Sequence, residues 1–229
     1  MNDIVWINTT DYTTSQLIWN GVGCLFWVVT YIFLVREIYQ RKFVEMPFFI
    51  AAGNISWEFI WSFFYHPNTG RLYSLSYQAA FLVDAFIFFN LFRYGVKQIN
   101  IPISQKHFSL LLIGSMVLWL PLNYFFVRQG LDTPIGATSG YILNIFISLL
   151  YPMLYFRSSP KHFSVIVGWC KFLGTGCITV SMFLIYPTNY FIQTLGAACF
   201  ILDLSYCFLL QRNAKRPAVH KFTNNPTSL

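Results

Sequence analysis

Three carboxylic acids of this chain, Glu58, Asp84 and Asp203, fall inside long apolar runs rather than in the polar stretches between them. An ionisable side chain at membrane depth costs at least ~2.5 kcal/mol and normally faces a protein interior or a cavity. Burial and mutual proximity both disfavour the charged form, so at least one of the three is expected to hold its proton near neutral pH. A neutral carboxylic acid in a water-poor site is a proton donor. Pairing with Asn, Tyr or Trp donors across helices explains a single such acid, and explains three together much less well. Asn54 lies one helical turn before Glu58, and Trp61 and Ser62 follow at i+3 and i+4, so all share one face. Cys199 and Tyr206 flank Asp203 at i−4 and i+3. Trp57, Trp61, Phe86, Phe88, Phe89, Trp119 and Phe200 also lie deep in the runs, and rings facing a cavity stabilise a passing cation by about 0.5–2 kcal/mol each. The combination suits handing a proton to a greasy ligand and shielding the resulting positive charge.

Holding these groups requires helices in lipid. The 229 residues are 56% hydrophobic, 20% aromatic and 10% charged, with a mean hydropathy of +0.53. Soluble domains carry about a quarter charged residues, so composition excludes a soluble enzyme and a disordered tail. A bilayer core of about 30 Å needs roughly 20 mostly apolar residues per helix. Seven runs satisfy this, at residues 16–35, 46–65, 77–93, 108–127, 139–156, 165–186 and 190–210. The expected fold is all-α, an integral membrane bundle of seven transmembrane helices spanning residues 1–210, with residues 211–229 as a mobile basic tail.

Charge placement orients the bundle. The net charge of +7 would suggest nucleic acid in a soluble protein, but in a membrane protein Lys and Arg collect in cytoplasmic loops. Twelve basic residues follow the odd-numbered spans, whereas Arg71 and Arg128 alone occupy the opposite loops. The N-terminus is thus expected outside and the C-terminus in the cytoplasm, with no nucleic-acid partner. The first 15 residues hold no Lys or Arg and do not read as a cleavable signal. At 1.5 Å per residue, Glu58 and Asp84 are each expected roughly 10–12 Å from the outer ends of their spans and Asp203 about 20 Å along its own. Trp6, Tyr12, Tyr65, Tyr94, Tyr151, Tyr155, Tyr186 and Tyr190 fall near span ends as interfacial belt residues. Lys171, near the start of span six, is expected to snorkel to the interface.

Other chemistry finds little support. The five cysteines form no CxxC pair, and the four histidines lie in loops or the tail, so no metal site is expected and no cofactor is implied. No nucleophile elbow, Walker motif or dinucleotide fingerprint is present, and span seven has no lysine for a retinal Schiff base. Asn90, Asn123, Asn144 and Gln193 read first as helix-to-helix glue. Asn8-Thr9-Thr10 is a glycosylation sequon that would face outside.

The Asn54-Ile55-Ser56-Trp57-Glu58 run inside the second of seven spans resembles the small transmembrane terpene cyclases of meroterpenoid and indole-terpenoid pathways. Asp84 in span three and Leu202-Asp203-Leu204-Ser205-Tyr206 in span seven are similar to that family as well. The resemblance implies a non-redox, metal-independent cyclisation, started by protonation of a terminal epoxide or alkene on a farnesyl-type chain. It implies Glu58 as general acid and Asp203 as its acid partner or a second proton-handling group. Asp84, Asn54, Trp57, Trp61 and Tyr206 follow as substrate-binding residues from membrane burial and spacing. The implied partners are a lipophilic prenylated substrate, the bilayer, and an upstream prenyltransferase or epoxidase. The implied membrane is the endoplasmic reticulum in a eukaryote or the plasma membrane in a bacterium. The competing reading is a small seven-helix proton-coupled transporter or receptor, in which the same acids would bind protons or a cationic ligand.

Overall fold

The computed structural model describes residues 5–214. Seven α-helices follow one another in this stretch: α1 Thr14–Arg41, α2 Phe48–Phe63, α3 Arg71–Tyr94, α4 Gln105–Arg128, α5 Ala137–Arg157, α6 Val165–Ile185 and α7 Tyr190–Ala214. Short 3-10 turns at Gly95–Gln98 and Pro160–His162 complete the described chain. All except α2 are long and apolar enough to cross a membrane, which makes the chain an integral membrane protein by length and composition. Helix α2 has 16 residues, about 24 Å of rise, four fewer than the sequence suggested, because Pro47 caps its start and Phe64 leaves the helix. Residues 211–214 continue α7 rather than joining the tail, whose remainder lies outside the described residues.

Helix α2 is the hub of the bundle. Twelve of its sixteen residues are buried, and it packs mainly against α3 and α4, then α5. Helix α1 packs along α6 and only lightly on α3. With lipid as apolar as the side chains, helices associate through close backbone packing, which small residues permit. Here a Cβ on Gly23 would lie 2.8 Å from the Gly174 carbonyl oxygen, and one on Gly174 would lie 3.1 Å from that of Gly23. This contact fixes α1 on α6 and leaves space between α1 and α2.

Each end of the bundle is closed by loops that satisfy their own backbone groups, as burial requires. At the N-terminal face, residues 5–12 lie against the α2–α3 loop through Asn8 N–H to Thr69 O, Arg71 N–H to Val5 O and Leu72 N–H to Trp6 O. Gly70, with φ +117°, has no room for a Cβ, which would meet the Trp6 carbonyl oxygen at 2.6 Å. The Asn8 amide of the sequon donates to Asp11 and to Asn68 O, and a glycan there would occupy that nitrogen. At the opposite, C-terminal face, Gln98 holds the α1–α2 turn by donating to Val44 O and Met46 O and accepting from Phe48 N–H.

Several expected belt residues lie inside instead. Tyr151 and Tyr155 are 3% and 4% exposed, because α5 turns them toward Tyr206 of α7, and their rings meet it edge-on. Phe89 and Phe200, deep along their helices, face outward toward lipid.

The turn also buries Glu45, 1% exposed, with Oε2 accepting from Ser164 N–H at 3.1 Å. Burial pushes its carboxyl up to about 8, with the Ser164 bond and the Arg41 charge acting against it. The folded value exceeds the ordinary one of 4.5, so this stabilisation is complete below pH 4.5 and is lost as pH rises through 8. At about 1.4 kcal/mol per pKa unit the effect amounts to a few kcal/mol. Glu45→Gln is expected to remove this slope, raising the thermal midpoint in detergent at pH 9 while changing it little at pH 5. Identical pH profiles for the two proteins would count against it.

Candidate active site

A cavity of about 630 Å³ lies between α1 and the α2–α3–α5 wall, within the range of small-molecule sites. Aromatic rings line it from four helices: Trp27 and Tyr31 of α1, Trp57 of α2, Tyr73 and Tyr77 of α3, and Tyr141 of α5. Its wall includes Val28 and Ile32 of α1, 53% and 59% exposed, and the exposed Ser76 and Ala79 of α3. Residues that face both the cavity and the outside mark an opening in the side of the bundle, between α1 and α3. Small side chains on α3 keep it wide.

Glu58 and Asn54 line this cavity one helical turn apart on α2. Glu58 is 7% exposed, and its Oε2 is buried without a hydrogen-bond partner. Asp84 is one turn deeper, at the level of Asn54, because α3 begins at Arg71, six residues before the span read from sequence. The Asn54 amide donates to Asp84 Oδ2 at 2.5 Å and to the Tyr31 hydroxyl at 2.9 Å, and Tyr31 donates to the same carboxylate oxygen at 3.1 Å. Glu58 and Asp84 interact electrostatically, and Tyr31 and Asn54 stand between the Asp84 carboxylate and the cavity. Tyr31 had no sequence signal, lying in an aromatic-rich span without an acid.

The indole of Trp57 is fixed from the first turn of α5. Its Nε1–H donates to Ser139 Oγ at 2.7 Å, and Ser139 in turn donates to Asp132. Asp132 Oδ1 also accepts from the backbone N–H groups of Thr133, Thr138 and Ser139, capping the start of α5. Burial pushes the Asp132 carboxyl above its ordinary range, with these hydrogen bonds opposing the rise. Gly136, at φ +73°, lies under both indoles, where a Cβ would come within 2.7 Å of Trp61 and 2.9 Å of Trp57. Trp61 is buried beside Trp57, with ring centroids 6.1 Å apart, and is not part of the cavity lining.

Asp203 lies elsewhere. Both its oxygens are 2.6 Å from Lys171 Nζ, and Ser148 donates to Oδ1 at 2.6 Å. Lys171 is 3% exposed, so it does not snorkel. It is about 21 Å from the Ile185 end of α6, level with an acid about 20 Å from the start of α7, and pairing there satisfies both charges. The cluster joins α5, α6 and α7. Asp203, Asp84 and Tyr206 are absent from the cavity lining, and the Tyr206 hydroxyl is buried without a partner.

The sequence profile of the Pyr4-like transmembrane terpene cyclases matches residues 9–216, and the chain belongs to that family. Over 107 residues it is 26% identical to the terpene cyclase macJ of Penicillium terrestre. That similarity covers 44% of this chain and 40% of macJ. No solved structure matches the chain.

Removing one member of a buried ion pair strands the other and costs about 3–5 kcal/mol, whereas an apolar pair of similar volume is often tolerated. Asp203→Asn is therefore expected to lower the yield and thermal midpoint of the folded protein. The double variant Asp203→Leu/Lys171→Met should recover most of both, as read by size-exclusion and thermal unfolding in detergent. A double variant no better than Asp203→Asn would mean that the pair is not what Asp203 supplies to the fold.

Proposed function

We propose that this chain is a protonation-initiated cyclase whose general acid is Glu58 and whose substrate is a prenylated, farnesyl-type lipid carrying a terminal epoxide or alkene. The observation that carries the reading is the Glu58 carboxyl, buried without a partner on the wall of an aromatic-lined cavity. An unpaired charge in such surroundings is very costly, so the species suited to the site is the neutral acid.

Glu58 passes its proton to the epoxide oxygen, or to the terminal alkene carbon, and becomes a carboxylate. The C–O bond opens toward the more substituted carbon, neighbouring double bonds add in turn, and the last cation releases a proton. The product is an isomer of the substrate, so no redox step or metal is required. The Tyr31 oxygen accepts the released proton as its own hydroxyl proton passes to Asp84, to which it is already bonded, and return of a proton from Asp84 to the Glu58 carboxylate restores the acid for the next turnover. Trp27, Trp57, Tyr73, Tyr77 and Tyr141 present rings to the travelling charge, each contributing about 0.5–2 kcal/mol where a face is offered. Excluding water keeps the cation from being quenched before the rings close.

Asp203 serves from a distance. Lys171 is one turn of α6 from the cavity-lining Thr175, and its charge would repel a carbocation if left unpaired. Asp203 cancels it. Trp61 and Tyr206 support the chamber by packing. Seven crossings with the N-terminus outside belong to the same proposal, supported by the uneven distribution of Lys and Arg. Helix α2, enclosed by the others, need not match the full bilayer thickness. Substrate enters from the bilayer between α1 and α3, supplied by an upstream prenyltransferase and, for an epoxide, an epoxidase. In a eukaryotic host the membrane would be the endoplasmic reticulum.

Glu58→Gln keeps the shape of the side chain but removes the acidic proton. A loss of about 100-fold or more in cyclised product is expected, measured by mass spectrometry after feeding prenylated and epoxidised candidates to membranes. Undiminished product from that variant would remove Glu58 as the acid. Ala79→Trp, which fills the side opening, is expected to raise KM several-fold for membrane-dissolved substrate while leaving the thermal midpoint within about 1 °C. Unchanged kinetics would place the way in elsewhere.

A further inference from the structure

The proton-donating reading occupies the cavity near Glu58 with the reacting end of the substrate. It leaves the polar head group of a prenylated molecule unplaced. Neutral polar side chains line the same cavity from other helices, and while Asn20 accepts from Cys24 and Ser76 donates to Leu72 O, Asn144 of α5 and Thr175 of α6 are the pair with unsatisfied oxygens. Thr175 is 3% exposed and its Oγ1 makes no hydrogen bond. Hydroxyls in these helices ordinarily return to the carbonyl four residues back, as Thr30, Ser56, Ser115 and Thr179 do. Thr175 does not. Asn144 Oδ1 is likewise buried without a partner. Asn144 is about 10 Å, and Thr175 about 15 Å, from the N-terminal-face ends of their helices, both deeper than Glu58 at about 8 Å. Buried polar groups left unsatisfied in an apolar chamber lose about 1–3 kcal/mol each, which a ligand hydrogen bond would restore.

The lining includes no Lys, Arg or His, and the nearby Lys171 ammonium is taken by Asp203. A phosphate or carboxylate would have no counter-charge here. We propose that Asn144 and Thr175 form the head-group subsite, which takes an uncharged hydroxyl that donates to Asn144 Oδ1 and accepts from Thr175 Oγ1–H. This rests on the cavity being the substrate chamber. The substrate then lies with its prenyl terminus toward Glu58 and its hydroxyl end toward α5 and α6, which makes the pair a determinant of specificity.

Binding of radiolabelled farnesol to the purified full chain in lipid nanodiscs, with farnesene and farnesyl diphosphate as competitors, tests this without reading turnover. The wild-type chain is expected to prefer farnesol over both. Thr175→Val and Asn144→Leu should each weaken farnesol binding about 5- to 10-fold and leave farnesene unchanged, the latter reporting an intact cavity. Thr175→Ser, which keeps the hydroxyl, should bind farnesol as the wild type does. The proposal is overturned if both apolar variants bind farnesol normally or lose both ligands equally. It also fails if farnesyl diphosphate competes better than farnesol, or if the preference instead disappears in Glu58→Leu or Thr69→Val. Thr69 is the relevant comparison because its hydroxyl is a further unpartnered group on the cavity wall. A chain that binds farnesol as expected but cyclises nothing would sink the cyclase reading and leave the subsite standing.

Discussion

A carboxyl group inside a membrane bundle must either find partners or stay neutral, and the three deep acids of this chain meet that constraint in three ways. Asp203 takes a lysine and a serine. Asp84 takes two neutral donors on one oxygen and leaves the other free. Glu58 takes none, and it alone of the three lines the cavity. The same residue chemistry is thus divided by environment into an ion-paired, a hydrogen-bonded and an unpartnered carboxyl, and different surroundings are what drive neighbouring carboxyls to different tasks.

The cavity exists because of where the helices do not touch. Gly23 and Gly174 bring α1 hard against α6, and α2 is anchored instead to α3, α4 and α5. The space between those two groups is then lined by what α1 and α2 present inward: the rings of Trp27, Tyr31 and Trp57, aliphatic side chains, the amides of Asn20 and Asn54, and the one acid, Glu58. Loops at both faces close it with their own hydrogen bonds. Backbone groups at those faces are taken up in the closure, whereas the exposed Val28 and Ile32 of α1 and Ser76 and Ala79 of α3 leave the side of the bundle open. A soluble scaffold could not leave such an opening without exposing a large apolar patch to water.

Much of this was readable in the sequence because lipid enforces simple rules. Hydropathy located all seven helices, since every backbone group in a membrane must bond within its own helix. The Asn54–Glu58 spacing put both groups on the cavity wall, because helical periodicity fixes which residues share a face. What could not be read was contact between helices. Tyr31 joins Asp84 across 53 residues, and nothing local to either marks the pairing. Lys171 carried more of a signal: a lone cation in an apolar span, level with an acid in the next helix, suggests a pair as readily as snorkelling. Asp84 lies one turn deeper than Glu58 because the polar first turns of α3, with Arg71 and Tyr73, precede the apolar run by which that helix is legible in the sequence.

For the proposed cyclisation, the buried pair bears on the chemistry as well as on the fold. A carbocation tolerates aromatic faces and carboxylates nearby but not an unpaired ammonium. At roughly 10 Å and an effective dielectric constant of about 20, a stranded Lys171 would raise the energy of a passing cation by about 1.7 kcal/mol. That corresponds to slightly more than a tenfold loss of rate. An acid outside the cavity can therefore matter to cyclisation without touching the substrate. Pairing also explains why a lysine is tolerated there at all: its ammonium is held by Asp203 and Ser148, which ties α6 to α5 and α7.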